Sequence, residues 1–185
     1  MLADPWFARW IRLGLARDAG EDAGPPPGLD VTASERFAAY EQVVVTRTNG
    51  LFGGAGRLQL PWPRALGTPP WGARHELELS ASAPGAGYRT SWTGFRGPEH
   101  RTATYKVLRE RVREGRPALL YLGSFWMPRH VVLVLSGRGA ALDVYEPASG
   151  QVLSVTKAQF AAGRVGLAGW NVPWAIISAP SGQKE

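Results

Sequence analysis

The chain has 185 residues, of which 44% are hydrophobic and 19% charged, and its formal net charge is +6. This composition is typical of one globular domain and excludes an intrinsically disordered chain. The sequence contains no cysteine, which excludes disulfides, cysteine-bound metals and a cysteine nucleophile within these residues.

The first part of the sequence, residues 1–102, predicts helices separated by loops. Apolar residues at helical spacing predict a helix over 4–17, and a glycine- and proline-rich stretch over 19–30 predicts a loop. A second helix is expected to run from Ser34, as its N-cap, to about Thr46.

Between residues 47 and 102 glycine and proline interrupt the pattern, and only two elements are predicted there. A short helix follows Pro69 and Pro70, and residues 88–95 form a short strand. His100 falls in a polar stretch that we interpret as a loop.

From residue 103 the pattern is typical of a helix followed by an antiparallel sheet. Residues 103–114 predict a helix, and Thr156 caps a later short one. Pro173 predicts that the last strand lies at the edge of the sheet, whereas the strand after His130 is apolar on both faces and therefore central. Strands are expected near 117–122, 130–136, 141–146, 151–155 and 172–178.

These elements predict an α+β fold in a single domain over residues 1–185, with helices and loops over 1–102 and a helix plus a mainly antiparallel sheet over 103–180. No apolar run reaches the roughly 18 residues of a membrane span, and residues 1–14 lack the order of a signal peptide. We expect a cytoplasmic chain without a membrane partner. The sequence gives no indication of its oligomeric state.

Arginines supply most of the positive charge, and their densest group is Arg109, Arg111, Arg113 and Arg116. This group is neither an extended basic stripe nor a known motif, so we expect no nucleic-acid partner. The three histidines are widely spaced and no cysteine accompanies them. We therefore expect no metal and no other cofactor.

His130 is the candidate general base, because it stands at the mouth of a buried strand, where a rigid backbone would hold its imidazole. If residues 137–139 form a three-residue hairpin loop, Ser136 pairs with Ala140 and His130 lies opposite Glu146 on the same face. Opposed side chains in such a ladder approach closely enough for a carboxylate to orient an imidazole. A two-residue turn would place the two side chains on opposite faces.

Three segments resemble a known family when they are read in order. Gly115–Leu120 follows a helix, Pro128–Val134 contains His130, and Asp143–Gly150 contains Glu146 before a proline. Their order and spacing resemble the second half of papain-like cysteine peptidases of the bacteriocin-leader-peptidase type. The likeness covers about residues 103–178.

The resemblance implies a papain-like α+β fold and a peptide or protein as substrate or ligand. It assigns His130 to the family's catalytic histidine. It assigns Glu146 to the family's acid, which is usually an aspartate, so this chain departs from the pattern by a longer side chain. The family's nucleophile is a cysteine that opens the first helix and follows an oxyanion-hole glutamine, and no cysteine is present here.

Two explanations for the missing nucleophile stay open, and with them the question of whether the chain is an enzyme. The sequence from Met1 to Pro5 resembles the end of the cysteine helix, so a product starting upstream of Met1 would be a peptidase. Alternatively the chain is a degenerate member that keeps the fold as a peptide-binding or structural module. The presence of both His130 and Glu146 favours the first explanation. As written, the chain is expected to be inactive.

Two further residues lie near His130 in the sequence. Ser124 is a conceivable nucleophile, but its position at a strand end favours a turn hydroxyl, and no oxyanion donors are apparent around it. Trp126 is predicted to form a wall of the substrate cleft. Among the other tryptophans, Trp62 and Trp71 lie beside prolines and are also candidates for an exposed groove, although most tryptophans pack in cores.

Overall fold

The structure, a computed structural model, describes residues 32–53, 58–62, 67–80, 87–137, 139–147 and 149–180. The helix predicted over 4–17 and the loop predicted over 19–30 lie outside these residues. Within them the elements are α1 (Ala33–Asn49), α2 (Pro70–Ser80), β1 (Arg89–Trp92), α3 (Pro98–Arg113), β2 (Ala118–Gly123), β3 (Pro128–Leu135), β4 (Leu142–Glu146), β5 (Gln151–Val155), α4 (Lys157–Ala162) and β6 (Val172–Ser178).

All six strands form one sheet in the order β1-β6-β2-β3-β4-β5, and every neighbouring pair is antiparallel. The predicted α+β class, the antiparallel sheet and the central position of β3 are therefore confirmed. Nothing in this topology by itself distinguishes a papain-like fold, which stays a prediction. None of the helices in the described ranges has the length and apolar character needed to cross a membrane.

The sheet is covered by helices on both faces. On one face, Leu108 of α3 and Phe160 of α4 pack on the side chains of Leu120, Val132 and Val144, all of which are buried. On the other face, α2 packs on a second apolar cluster formed by alternate residues of β2, β3 and β6. This alternation follows from the period of two in a strand.

The prediction that the last strand lies at an edge is wrong, because β6 lies between β1 and β2. Pro173 has no N–H to donate, but it falls where the β2–β6 register shifts between Tyr121 and Leu122. A proline is tolerated at such an irregularity. From Trp174 onward β6 is buried, because β1 pairs with its residues Ala175–Ser178.

The helix starts differ from the predictions in two places. Thr32 rather than Ser34 caps α1, and it forms a capping box with Glu35. α3 begins at Pro98 instead of residue 103, so His100 lies on this helix and not in a loop. Proline at the first position of a helix is the signal that could have predicted this start. The predicted cap of the short helix by Thr156 is confirmed.

Candidate functional site

His130 is held close to the start of β3 by a tight connection from β2. Leu122 pairs with His130, and the register shifts before Gly123, which pairs with Pro128. A Cβ atom built on Gly123 would lie 2.1 Å from the Met127 carbonyl oxygen. Only glycine therefore fits this turn without displacing the backbone that leads into His130.

Glu146 is the last residue of β4, and its register with β3 differs from the prediction. Leu135 pairs with Asp143 and Leu133 with Tyr145. Continuing this register places Glu146 two residues away from direct opposition to His130. The predicted pairing of Ser136 with Ala140 is wrong because the connection between β3 and β4 is longer than three residues. The shift is even, so both side chains still lie on one face.

The predicted contact between the two side chains is confirmed. His130 Nε2 lies 2.8 Å from Glu146 Oε1 and 2.9 Å from Oε2. The Glu146 side chain is 3% exposed and that of His130 is 19% exposed. An ionised carboxylate can only accept hydrogen bonds, so Nε2 carries the proton. Its N–H donates a hydrogen bond that both oxygens share. The extra methylene of glutamate spans the diagonal offset between the strands.

The second ring nitrogen, Nδ1, has no hydrogen-bond partner in the part of the chain that the structure describes. With Nε2 protonated, Nδ1 of the neutral ring is an acceptor. This is the arrangement that a general base requires: one nitrogen is fixed by a buried acid, and the other is left to take a proton.

A groove with a volume of about 190 Å³ lies beside the start of β3, and His130 is one of its lining residues. Three tryptophans line it: Trp62, Trp71 and Trp92. Trp62 and Trp71 meet edge to face, with ring centroids 5.2 Å apart. By strand alternation the side chains of His130 and Glu146 lie on the α3 face of the sheet, whereas those of Tyr121 and Val131, which also line the groove, lie on the α2 face.

Buried amide side chains hold the segment that carries two of these tryptophans. Gln59 is 8% exposed, and its Nε2 donates to the carbonyls of Arg47, Thr48 and Gly50 at the end of α1. Asn49 Nδ2 donates to the Gly67 carbonyl at 2.7 Å. These hydrogen bonds fix the backbone on both sides of Trp62.

Tyr121 of β2 also lines the groove, where its hydroxyl donates to the Thr68 carbonyl at 3.0 Å. Burial raises the pKa of Tyr121 well above its usual range. The hydroxyl is therefore neutral at neutral pH, and its role is to bind the 67–71 segment to the sheet.

Trp126 is not among the residues that line this groove, and its place as a wall of the substrate cleft stays a prediction. Trp126 is 79% exposed and packs edge to face on Phe125. The turn between β2 and β3 carries both rings into solvent. Ser124 is a turn hydroxyl as interpreted, since its Oγ accepts from the backbone N–H groups of Trp126 and Met127.

Trp92 is the lining residue that the sequence reasoning missed, because it lies on a short strand whose partner was not predicted. Among the described residues no group of three or more His, Asp or Glu side chains has the arrangement of a metal site.

Comparison of the chain with known protein families, with curated proteins and with solved structures gave no match.

Proposed function

We propose that this chain supplies the histidine and acid of a papain-like cysteine peptidase site, whose thiol comes from outside these 185 residues. The observation that supports it most directly is the bond from His130 Nε2 to both oxygens of the buried Glu146 carboxylate, while Nδ1 has no partner among the described residues. The proposal includes a cytoplasmic location, where thiols stay reduced.

The chemistry assigned to these residues is proton transfer. Nδ1 takes the proton of a cysteine thiol, and the thiolate attacks the carbonyl carbon of a peptide bond. As the carbon–nitrogen bond breaks, Nδ1 returns the proton to the departing amine. Water then hydrolyses the thioester with the same nitrogen as base, and Glu146 stabilises the imidazolium in each protonated state.

The groove is the proposed binding site for the peptide. Its tryptophans offer flat apolar surfaces to side chains near the scissile bond, and aromatic rings supply much of the contact energy in such sites. A peptide bound there would pass the start of β3, where His130 is one of the lining residues.

The experiment that tests this proposal is expression of the reading frame extended upstream of the Met1 codon. We expect the extension to encode a glutamine and then Cys-Gly, and the product to cleave a fluorogenic peptide library. His130→Ala should lower this activity by about 10²–10⁴-fold or more, as expected for loss of a general base. His100→Ala, an exposed histidine on α3, is the matched control and should retain activity.

The chain as written should hydrolyse no peptide and should not react with thiol-directed inhibitors, because it has no thiolate. A purified sample tested with iodoacetamide and with the same peptide library checks this. Turnover that disappears in His130→Ala would contradict the proposal and would indicate a serine or water nucleophile.

A second candidate function is a peptide-binding module without catalysis, and the aromatic lining of the groove in a chain without cysteine favours it. An in-frame stop codon directly upstream of Met1, or an extended product that binds peptides without cleaving them, would support this alternative. In that case Trp62→Ala or Trp92→Ala should weaken peptide binding, whereas Glu146→Gln should leave it unchanged.

A further inference from the structure

The arginine cluster noted in the sequence is divided by the fold, and part of it lines a second pocket. This basic pocket has a volume of about 540 Å³ and is lined by Lys106, Arg109, Glu110, Arg113 and Glu114 of α3 and its C-terminal end, with Ala140 and Lys157 across from them. It lies beside the connection that follows β3, at the opposite end of this strand from His130.

Helical spacing places the cations of the pocket on one side of α3. Lys106, Arg109 and Arg113 follow one another at intervals of three and four residues, so their side chains lie along one face. Lys157, the first residue of α4, adds a fourth positive charge.

The two carboxylates in the lining are already paired with cations that do not line the pocket. Glu114 Oε2 lies 3.1 Å from Arg111 Nη1 and 3.5 Å from Arg116 Nε. Glu110 Oε2 lies 3.9 Å from Arg111 Nη2. Within the described ranges none of the four lining cations forms an ion pair with a carboxylate, and the lining carries four positive and two negative side chains.

Side-chain hydrogen bonds hold the wall of the pocket in place. Tyr105 donates from its hydroxyl to the Ala140 carbonyl at 2.9 Å, and Arg109 Nη2 donates to the Gly139 carbonyl at 2.9 Å. Arg109 Nε is buried and has no hydrogen-bond partner among the described residues.

We infer that the basic pocket binds the phosphate group of a small phosphorylated molecule. A phosphate carries enough charge to compensate several cations, and arginine and lysine are the side chains that most often bind it. A concave pocket of this size accommodates a small molecule, whereas a nucleic-acid duplex requires an extended basic surface.

The test is isothermal titration with inorganic phosphate and with pyrophosphate, against sodium chloride at matched ionic strength. The variant K106Q/R113Q removes two exposed cations of the pocket and should weaken pyrophosphate binding by about tenfold or more, because charge-assisted hydrogen bonds are lost. The control R89Q/R164Q removes two exposed arginines outside the lining and should change the affinity by less than about twofold.

Three results would overturn the inference. The first is no binding of phosphate or pyrophosphate beyond that seen with chloride. The second is an equal loss of affinity in both double variants, which would show that binding depends only on the net charge of the protein. The third is binding of a short DNA duplex, weakened in K106Q/R113Q, by a chain that binds neither phosphate nor pyrophosphate. None of these outcomes depends on peptidase activity, so the inference is independent of the proposed function.

Discussion

The Glu146 carboxylate is buried at the end of β4, where its ionised form depends on hydrogen-bond donors from the protein. His130 donates to both of its oxygens, which are at 2.8 and 2.9 Å from Nε2. Burying a charged group that has lost such a donor costs free energy, because water cannot fully replace the hydrogen bond. The pair therefore contributes to stability as well as to the proposed chemistry.

His130→Ala should lower the free energy of unfolding by about 1–3 kcal/mol, the usual cost of removing a hydrogen bond from a buried charged group. Urea unfolding followed by circular dichroism measures it. In the double variant H130A/E146Q much of the lost free energy of unfolding should be recovered, since burying a neutral amide costs less free energy than burying a carboxylate. His100→Ala is the control, and a loss as large as that of His130→Ala would contradict this account.

At the residue scale, the sequence was sufficient to predict that His130 and Glu146 meet, but not how they are paired. Successive residues of a strand alternate between the two faces of the sheet. A register shift of two residues therefore leaves each side chain on its expected face. The length of the β3–β4 connection depends on contacts such as Tyr105 with Ala140, which join residues far apart in the chain. Periodicity within one strand carries no information on such contacts.

The connection between β2 and β3 is the element on which the position of His130 depends. Gly123 approaches the Met127 carbonyl so closely that any side chain would displace it. The turn is also tied to β6, because Trp174 Nε1 donates to the Ser124 carbonyl at 2.7 Å.

Gly123→Ala should destabilise the protein by roughly 1–3 kcal/mol, as overpacking of a close contact usually does. It should also lower the peptidase activity of an extended product by displacing His130. Gly139→Ala is the matched control, because a Cβ atom there meets nothing within 4 Å. Thermal unfolding of the two variants separates the effects, and equal melting temperatures would show that Gly123 has no steric role.

At the element scale, helices and strands with regular patterns were predicted within a few residues, and the errors have identifiable causes. Pro173 was interpreted as an edge signal, but a register shift in the neighbouring ladder accommodates it. Trp62 and Trp71 were predicted as candidates for an exposed groove, but the position of the segment that carries Trp62 was not predicted. Its position depends on Gln59 and Asn49, whose side-chain bonds to α1 and to Gly67 cannot be read from local composition.

Three buried tyrosines contribute to the response of the whole molecule to alkaline pH. Burial is the main cause that raises the pKa of Tyr88, Tyr105 and Tyr121 above the value of 10.0 that an exposed tyrosine has. The folded chain therefore holds these protons more tightly than the unfolded chain does. Their contribution to stability is complete below pH 10 and is lost as the pH rises above it.

The free energy of unfolding should accordingly be constant near pH 9 and fall above about pH 10, with Tyr121 contributing up to about 1.4 kcal/mol per pH unit. Urea unfolding at a series of pH values measures this slope, and tyrosinate absorbance identifies the group. Tyr121→Phe should reduce the slope. An unchanged slope in that variant would show that Tyr121 titrates normally in the folded chain.

We infer from the contact geometry that Glu146 fixes the imidazole of His130 with its proton on Nε2 and leaves Nδ1, which has no partner among the described residues, as the base. Long-range proton–nitrogen NMR of the His130 ring, recorded where the ring is neutral, measures this tautomer directly. We predict that Nε2 is protonated and Nδ1 is not, and that Glu146→Gln weakens this preference because an amide can donate as well as accept. A neutral ring protonated on Nδ1, unchanged in Glu146→Gln, would contradict the claim, since Nδ1 could then take no proton from a thiol.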